Sequence, residues 1–153
     1  MNIETIKEKM NQAASQVFGA MYFTPVELLA QVPPEHKWNL EEKYIKAAIA
    51  YNGPQQAALE FYFPITLGIN IAAGFTGVDE NALTDDQIID TMREAANMIT
   101  GSFLGMIDPE GTCHLGIPEA EIVNDFSPAR LTDFSAMALT SDFGFLWIFF
   151  KPK

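Results

Sequence analysis

Positive charge is scarce in this chain: nine Lys and Arg stand against 20 Asp and Glu, a formal charge of −11 over 153 residues. A binding mode that neutralises a phosphate backbone or an anionic lipid surface needs the opposite balance, so nucleic acid and membrane surfaces are not expected partners. Cysteine is scarcer still. The lone Cys113 permits no internal disulfide, and the opening MNIETIKEKM carries charges where a signal peptide would need an apolar stretch. A reduced, cytoplasmic setting is the expectation. Histidine occurs twice, as His36 and His114. With no second ligand pair at zinc spacing, Cys113-His114 reads as strand packing, and no metal site is expected. Long uninterrupted apolar runs are also missing. Phe143 to Phe150 is far too short to span a bilayer, and the stretch from Phe61 to Val78 is broken by Pro64, Gly68, Asn70, Gly74 and Gly77. Both are expected in the core, without membrane insertion.

What remains is ordinary globular material. At 48% apolar residues with 12 Phe, the chain can bury a core without metal or disulfide support. We expect a single domain over residues 1–153. Apolar side chains at Ile3, Ile6, Met10, Ala13, Ala14, Val17, Phe18 and Met21 follow helical spacing, predicting a helix over residues 3–21. Thr24-Pro25 would open a short second helix through Leu29, ended by Pro33-Pro34. Asn52-Gly53-Pro54 between Tyr44–Tyr51 and Gln56–Phe63 predicts a hairpin. A helix should follow from Ile65 to Phe75, closed near Gly74 and Gly77. The clearest start signal is Thr84-Asp85-Asp86-Gln87, a capping box with two acids at the positive helix end, and a long helix should run from it to about Met106. Strand segments are expected at 113–117, 121–123, 136–140 and 143–150. The fold class is therefore α+β, a mostly antiparallel sheet packed against long helices. Six of the 12 Phe fall after residue 125, which places much of the core on the last strands.

The long helix has two faces. At about 100° per residue, Ile88, Met92, Ala95, Ala96, Ile99 and Phe103 gather on a core face. Asp90, Glu94, Asn97 and Gly101 line the opposite side as a polar stripe that should face water. A glycine within a helix costs about 1 kcal/mol against alanine, and close approach by another backbone is one reason to accept it. Gly101 therefore suggests a docking surface.

A carboxylate and a carboxamide one turn apart are poor nucleophiles, and no Ser-His or Cys-His arrangement accompanies them. The amide can hold a water and the acid can pair with a partner's lysine. That division of labour suits an auxiliary phosphatase, which completes another protein's site, because phosphoryl transfer rewards positioning over covalent chemistry. Asp90-x-x-x-Glu94-x-x-Asn97, within DTMREAANMITG, resembles the Asp/Ser-x-x-x-Glu-x-x-Asn signature of the CheC/CheX/FliY chemotaxis phosphatases. Pro118 follows about twenty residues after Asn97, slightly closer than the family's usual spacing. A single copy of the signature points to the CheX-like branch, since CheC-type members usually carry two.

The resemblance implies one motif helix packed on a sheet, a homodimer, and hydrolysis of the aspartyl phosphate on a phosphorylated CheY-like receiver. Glu94 would anchor the receiver's active-site lysine. Asn97 would orient the attacking water, and the receiver would bring the Mg²⁺, so that this chain holds no cofactor of its own. Asp90 matches the first signature position, and Met98 and Gly101 would add contact to the partner. Between Asp79 and Asp125 there are 11 acids and one base, Arg93. Long-range steering toward an acidic receiver should then be weak, and association should be transient and tighten on phosphorylation. Three alternatives remain open from the residues: a solvated helix face, a non-catalytic dimeric scaffold of the same fold, and an unrelated acidic domain that binds a small ligand.

Overall fold

The computed structural model describes residues 2–130 and 135–153. The first helix, α1 (Ile3–Tyr22), is capped by the Asn2 side chain, which accepts from the Thr5 N–H, and buries the predicted Ile6, Met10, Ala13, Ala14, Val17 and Phe18. It stops at Phe23, whose left-handed backbone (φ 51°) turns its N–H back onto the Phe18 carbonyl.

Here one expectation fails. Residues 24–29 are extended, and β1 (Glu27–Leu28) pairs antiparallel with β6 (Ser135–Ser141), Glu27 opposite Thr140 and Leu28 opposite Leu139. Nine residues between the αL stop at Phe23 and Pro33-Pro34 are too few to bury an amphipathic helical face. An extended segment instead finds partners at once: the Leu29 N–H donates to the Ala138 carbonyl at 2.9 Å, and Val26 is buried.

The hairpin forms as predicted from β2 (Tyr44–Asn52) and β3 (Ala57–Pro64), with eight residue pairs in register from Tyr44–Pro64 to Tyr51–Ala57. Gly53 sits at the turn with φ 143°, where a Cβ would lie 2.9 Å from the Cys113 backbone. No other residue fits there. Pro64 hands directly into α2 (Ile65–Thr76), ended by Gly77 at φ 74°. The polar connection holds one turn of 3₁₀ helix, Glu80–Ala82. Then comes α3 (Asp85–Ile107), begun by the predicted capping box: the Gln87 N–H donates to Thr84 Oγ1 at 3.2 Å, and the Thr84 N–H to Gln87 Oε1 at 2.9 Å.

After α3, β4 (His114–Leu115) and β5 (Glu119–Val123) both lie along β2. Leu115 faces Tyr51 and Glu119 faces Ala48, so four steps on one strand match three on the other. The extra residue is a bulge at Gly116–Pro118, placed where Pro118 cannot donate to the ladder. The last strand, β7 (Gly144–Pro152), lies between β6 and β3. Among the described residues the sheet is seven-stranded and antiparallel in the order β1-β6-β7-β3-β2-β4, with β5 also on β2.

Strand alternation feeds two cores. Ile45, Ile49, Leu59, Phe61, Phe63, Met137, Leu139, Leu146, Ile148 and Phe150 face the three helices. Tyr44, Tyr62, Trp147 and Phe149 point to the other side, where Trp38 and Phe126 cover them. Trp38 packs edge-on against Trp147 at 5.7 Å, and Phe126 stacks on Tyr62 at 4.0 Å. The sheet is thus buried on its helix face and, around Tyr62 and Trp147, on part of the other, and the C-terminal phenylalanines at 145, 149 and 150 belong to it as expected. Phe134 lies outside the described residues. Helix α2 crosses close: a Cβ on Gly68 would lie 2.5 Å from the Ile45 side chain and 3.1 Å from Ile88. That contact brings α2 down onto the sheet and sets it against the N-terminal half of α3.

The junction after α3 is tied by Asp108. Its carboxylate accepts from the Thr112 hydroxyl at 2.6 Å and the Cys113 N–H at 2.7 Å. These bonds, the Thr112 hydroxyl first, hold its pKa below the ordinary carboxylate value. A depressed carboxylate pKa contributes stability at pH above its unfolded value and loses it as pH falls through the folded one. Asp108→Asn should therefore flatten the fall of Tm on acidification below about pH 4, read by thermal melts across that range. Cys113 is buried and donates weakly to the Gln55 carbonyl at 3.5 Å. It packs beneath the hairpin turn, just ahead of β4, and does not lie within a strand.

Candidate functional site

Helix α3 packs against α1, α2 and the β2–β5 side of the sheet. All six predicted core residues, Ile88, Met92, Ala95, Ala96, Ile99 and Phe103, are buried. Two polar residues are buried with them. The Thr91 hydroxyl donates to the Gln87 carbonyl and the Thr100 hydroxyl to the Ala96 carbonyl, both at 2.8 Å, so neither is left unsatisfied.

On the opposite side Asp90 and Glu94 are exposed, while Asn97 and Gly101 are half-buried. Asp90 accepts from the Arg93 guanidinium three residues on. Among the described residues, the Glu94 carboxylate and the Asn97 carboxamide have no hydrogen-bond or ion-pair partner within the chain. An acid and an amide one turn apart thus stand ready for a partner, while the neighbouring acid is already engaged. Met98 is half-buried and leans on the core. Gly101 has a neighbour in its own chain: a Cβ there would meet the Leu115 side chain of β4 at 3.9 Å, ordinary contact distance. Its lack of a side chain is not enforced by crowding.

The surroundings of Glu94 include a residue that helical periodicity did not single out. Tyr22, the last residue of α1, packs against Phe18 at 5.9 Å and edge-on to Phe75 of α2 at 5.8 Å. Burial first, and the Glu94 charge second, push the Tyr22 hydroxyl up to about 12. The end of α1 therefore lies near enough to α3 for Tyr22 to feel the Glu94 charge. A phenol in the field of a carboxylate is the more reluctant to ionise, so Tyr22 stays neutral beside the acid throughout the physiological range. The sequence held one usable hint: bulky Phe23 stands directly after the helix, where glycine or asparagine is the favoured stop.

A family model described as chemotaxis phosphatase CheX matches residues 45–132, a span that contains α3 with Glu94 and Asn97. The chain belongs to the CheX family. CheX proteins of known structure share its fold. The CheX of Desulfovibrio desulfuricans superimposes with a TM-score of 0.73 at 15% identity, covering 97% of this chain and 99% of the other. That of Vibrio vulnificus reaches 0.77 at 14% identity, covering 97% and 99%. The CheX of Borrelia burgdorferi, solved as a CheX-CheY-BeF3-Mg²⁺ complex, reaches 0.66 at 15% identity, covering 95% and 96%. No curated protein matches the sequence. This CheX-family chain has no helix, among its described residues, long and apolar enough to cross a membrane. Nor does any cluster of three or more His, Cys, Asp and Glu side chains among them suit a metal ion.

Proposed function

We propose that this chain accelerates hydrolysis of the aspartyl phosphate on a CheY-like receiver domain, with Glu94 and Asn97 as the two groups it contributes. The observation that carries the reading is that both side chains, one turn apart on the outer face of α3, lack partners among the described residues. Glu94 pairs with the ammonium of the receiver's active-site lysine and fixes the register of docking. Asn97 enters the receiver's site, where its carboxamide holds a water in line with the phosphorus. The water oxygen forms the new P–O bond as the bond between phosphorus and the aspartyl oxygen breaks. The aspartate leaves as a carboxylate, inorganic phosphate is released, and the surplus proton passes to phosphate or solvent. The receiver brings the Mg²⁺ that spreads the phosphoryl charge. Asp90 and Met98 border the contact and Gly101 lies at its far end. A homodimer in the cytoplasm belongs to the same proposal, its assembly checked by light scattering.

The family description and the CheX-CheY complex of the Borrelia relative support this reading. The test is the decay of a phosphorylated CheY-like receiver, with and without the chain, at substoichiometric ratio. Accelerated decay with turnover is expected. Binding to the receiver without any change in decay rate would leave the non-catalytic scaffold as the better account.

A further inference from the structure

Six large apolar side chains are exposed among the described residues, and three of them, Met21, Phe23 and Phe75, line one groove. It measures about 400 Å³, is formed where the C-terminal ends of α1 and α2 meet, and has Tyr22 in its wall and Glu80 at its edge. Phe23 is the unusual member. It is 89% exposed and holds a left-handed φ of 51°. That backbone costs a non-glycine residue of order 1–2 kcal/mol, and the αL turn that seats the Phe23 and Thr24 N–H groups on the Phe18 carbonyl needs no ring. A phenyl group in this place adds nothing to the core, and such an outlier points outward to function.

We propose that this groove is the apolar half of the receiver-docking surface, taking an aliphatic or aromatic side chain that the receiver carries beside its phosphorylation site. This rests on the reading of Glu94 and Asn97 given above. The groove lies on the side of the molecule that carries the motif: Tyr22 in its wall touches Phe75 and lies in the field of Glu94. The occupant follows from charge. Eleven acids and one base between Asp79 and Asp125 repel a phosphorylated, anionic site at long range, so affinity must come from short-range burial beside one ion pair. A second copy of this chain fits less well here, because the single base between Asp79 and Asp125, Arg93, is engaged by Asp90 and brings no free cation to Glu94.

The test uses Phe23→Asn, which keeps a residue tolerant of αL and removes the ring, with Phe75→Ser as a second variant. Each is titrated against a CheY-like receiver loaded with Mg²⁺ and beryllium fluoride, and assayed for dephosphorylation of the phosphorylated receiver. Kd and KM should rise about tenfold, with kcat at saturation held within twofold. Asn97→Ala should show the reverse, a lost kcat at unchanged Kd. Ile117→Ser, which removes an equally exposed side chain from the chain segment between β4 and β5, should leave both constants alone.

An unchanged Kd in both groove variants overturns the proposal while leaving the phosphatase reading intact. A wild-type chain that binds the receiver without speeding decay overturns the phosphatase reading, and the groove is then judged by Kd alone. Loss of self-association in Phe23→Asn with receiver affinity unchanged assigns the groove to a second copy and overturns the proposal, as does absence of any receiver binding by the wild type.

Discussion

Replacing Asn97 by alanine should lower the receiver-dephosphorylation kcat by about 10²–10³-fold, bringing decay close to the receiver's own rate, while affinity for the receiver stays within about twofold. The magnitude follows from what the side chain is asked to do. Positioning a water in line with an already polarised phosphoryl group supplies the orientation that a free water finds only rarely, and a single polar group aimed at the reacting atoms is worth this range when removed. The selectivity for kcat follows from the structure. Asn97 has no partner among the described residues, so alanine breaks no bond seen to hold the fold. Alanine is also the better helix former by several tenths of a kcal/mol, which protects α3 from fraying. The measurement pairs single-turnover decay of the phosphorylated receiver with a titration of its stable beryllofluoride form. A variant that loses binding and turnover together would place Asn97 in docking and deny it the water.

Much of this was legible because it depends on short-range rules. The capping box at Thr84 and Gln87, the Asn52-Gly53-Pro54 turn and the helical spacing on both faces of α3 each involve residues a few positions apart. The same rules fail at Thr24-Pro25, where a cap signal and a proline favour a helix start. The outcome is decided by a strand more than a hundred residues later, since Glu27 and Leu28 pair with Thr140 and Leu139. Periodicity placed Glu94 and Asn97 on the outer face, yet gave no sign that Tyr22 lies in the field of Glu94. That placement depends on how α1 packs beside α3 and on Gly68 letting α2 close against Ile45 and Ile88, and both are tertiary facts. Gly101 shows the opposite error of emphasis. Helix propensity flagged it as costly, but the nearest side chain, Leu115, lies at ordinary distance, so the cost is not explained by crowding.

Reversing the charge at Glu94 should have the second large effect, this time on association. Glu94→Lys sets a cation against the receiver's lysine and should raise Kd and KM by about a hundredfold. Glu94→Gln keeps a hydrogen-bonding group without charge and should raise them about tenfold, a charge-assisted bond being worth roughly 1.5–3 kcal/mol. In both variants kcat at saturation should change little, because Asn97 and the receiver's own groups remain. Salt separates this pairing from a general charge effect. The net charge stays strongly negative in either variant, whereas a pair at an exposed helix face is screened within a Debye length of about 10 Å at 0.1 M salt. The wild-type KM should therefore rise with ionic strength and that of Glu94→Gln should rise less. Tyr22 supplies an internal check on the variant itself. Glu94 is the second cause, after burial, of its raised ionisation at about 12, so a spectroscopic titration of Glu94→Gln should find the Tyr22 phenol ionising at lower pH than in the wild type. If the phenol shifts as expected while KM does not move, the carboxylate lies where the structure puts it but does not meet the receiver's lysine, and docking has to be assigned to other residues of the α3 face.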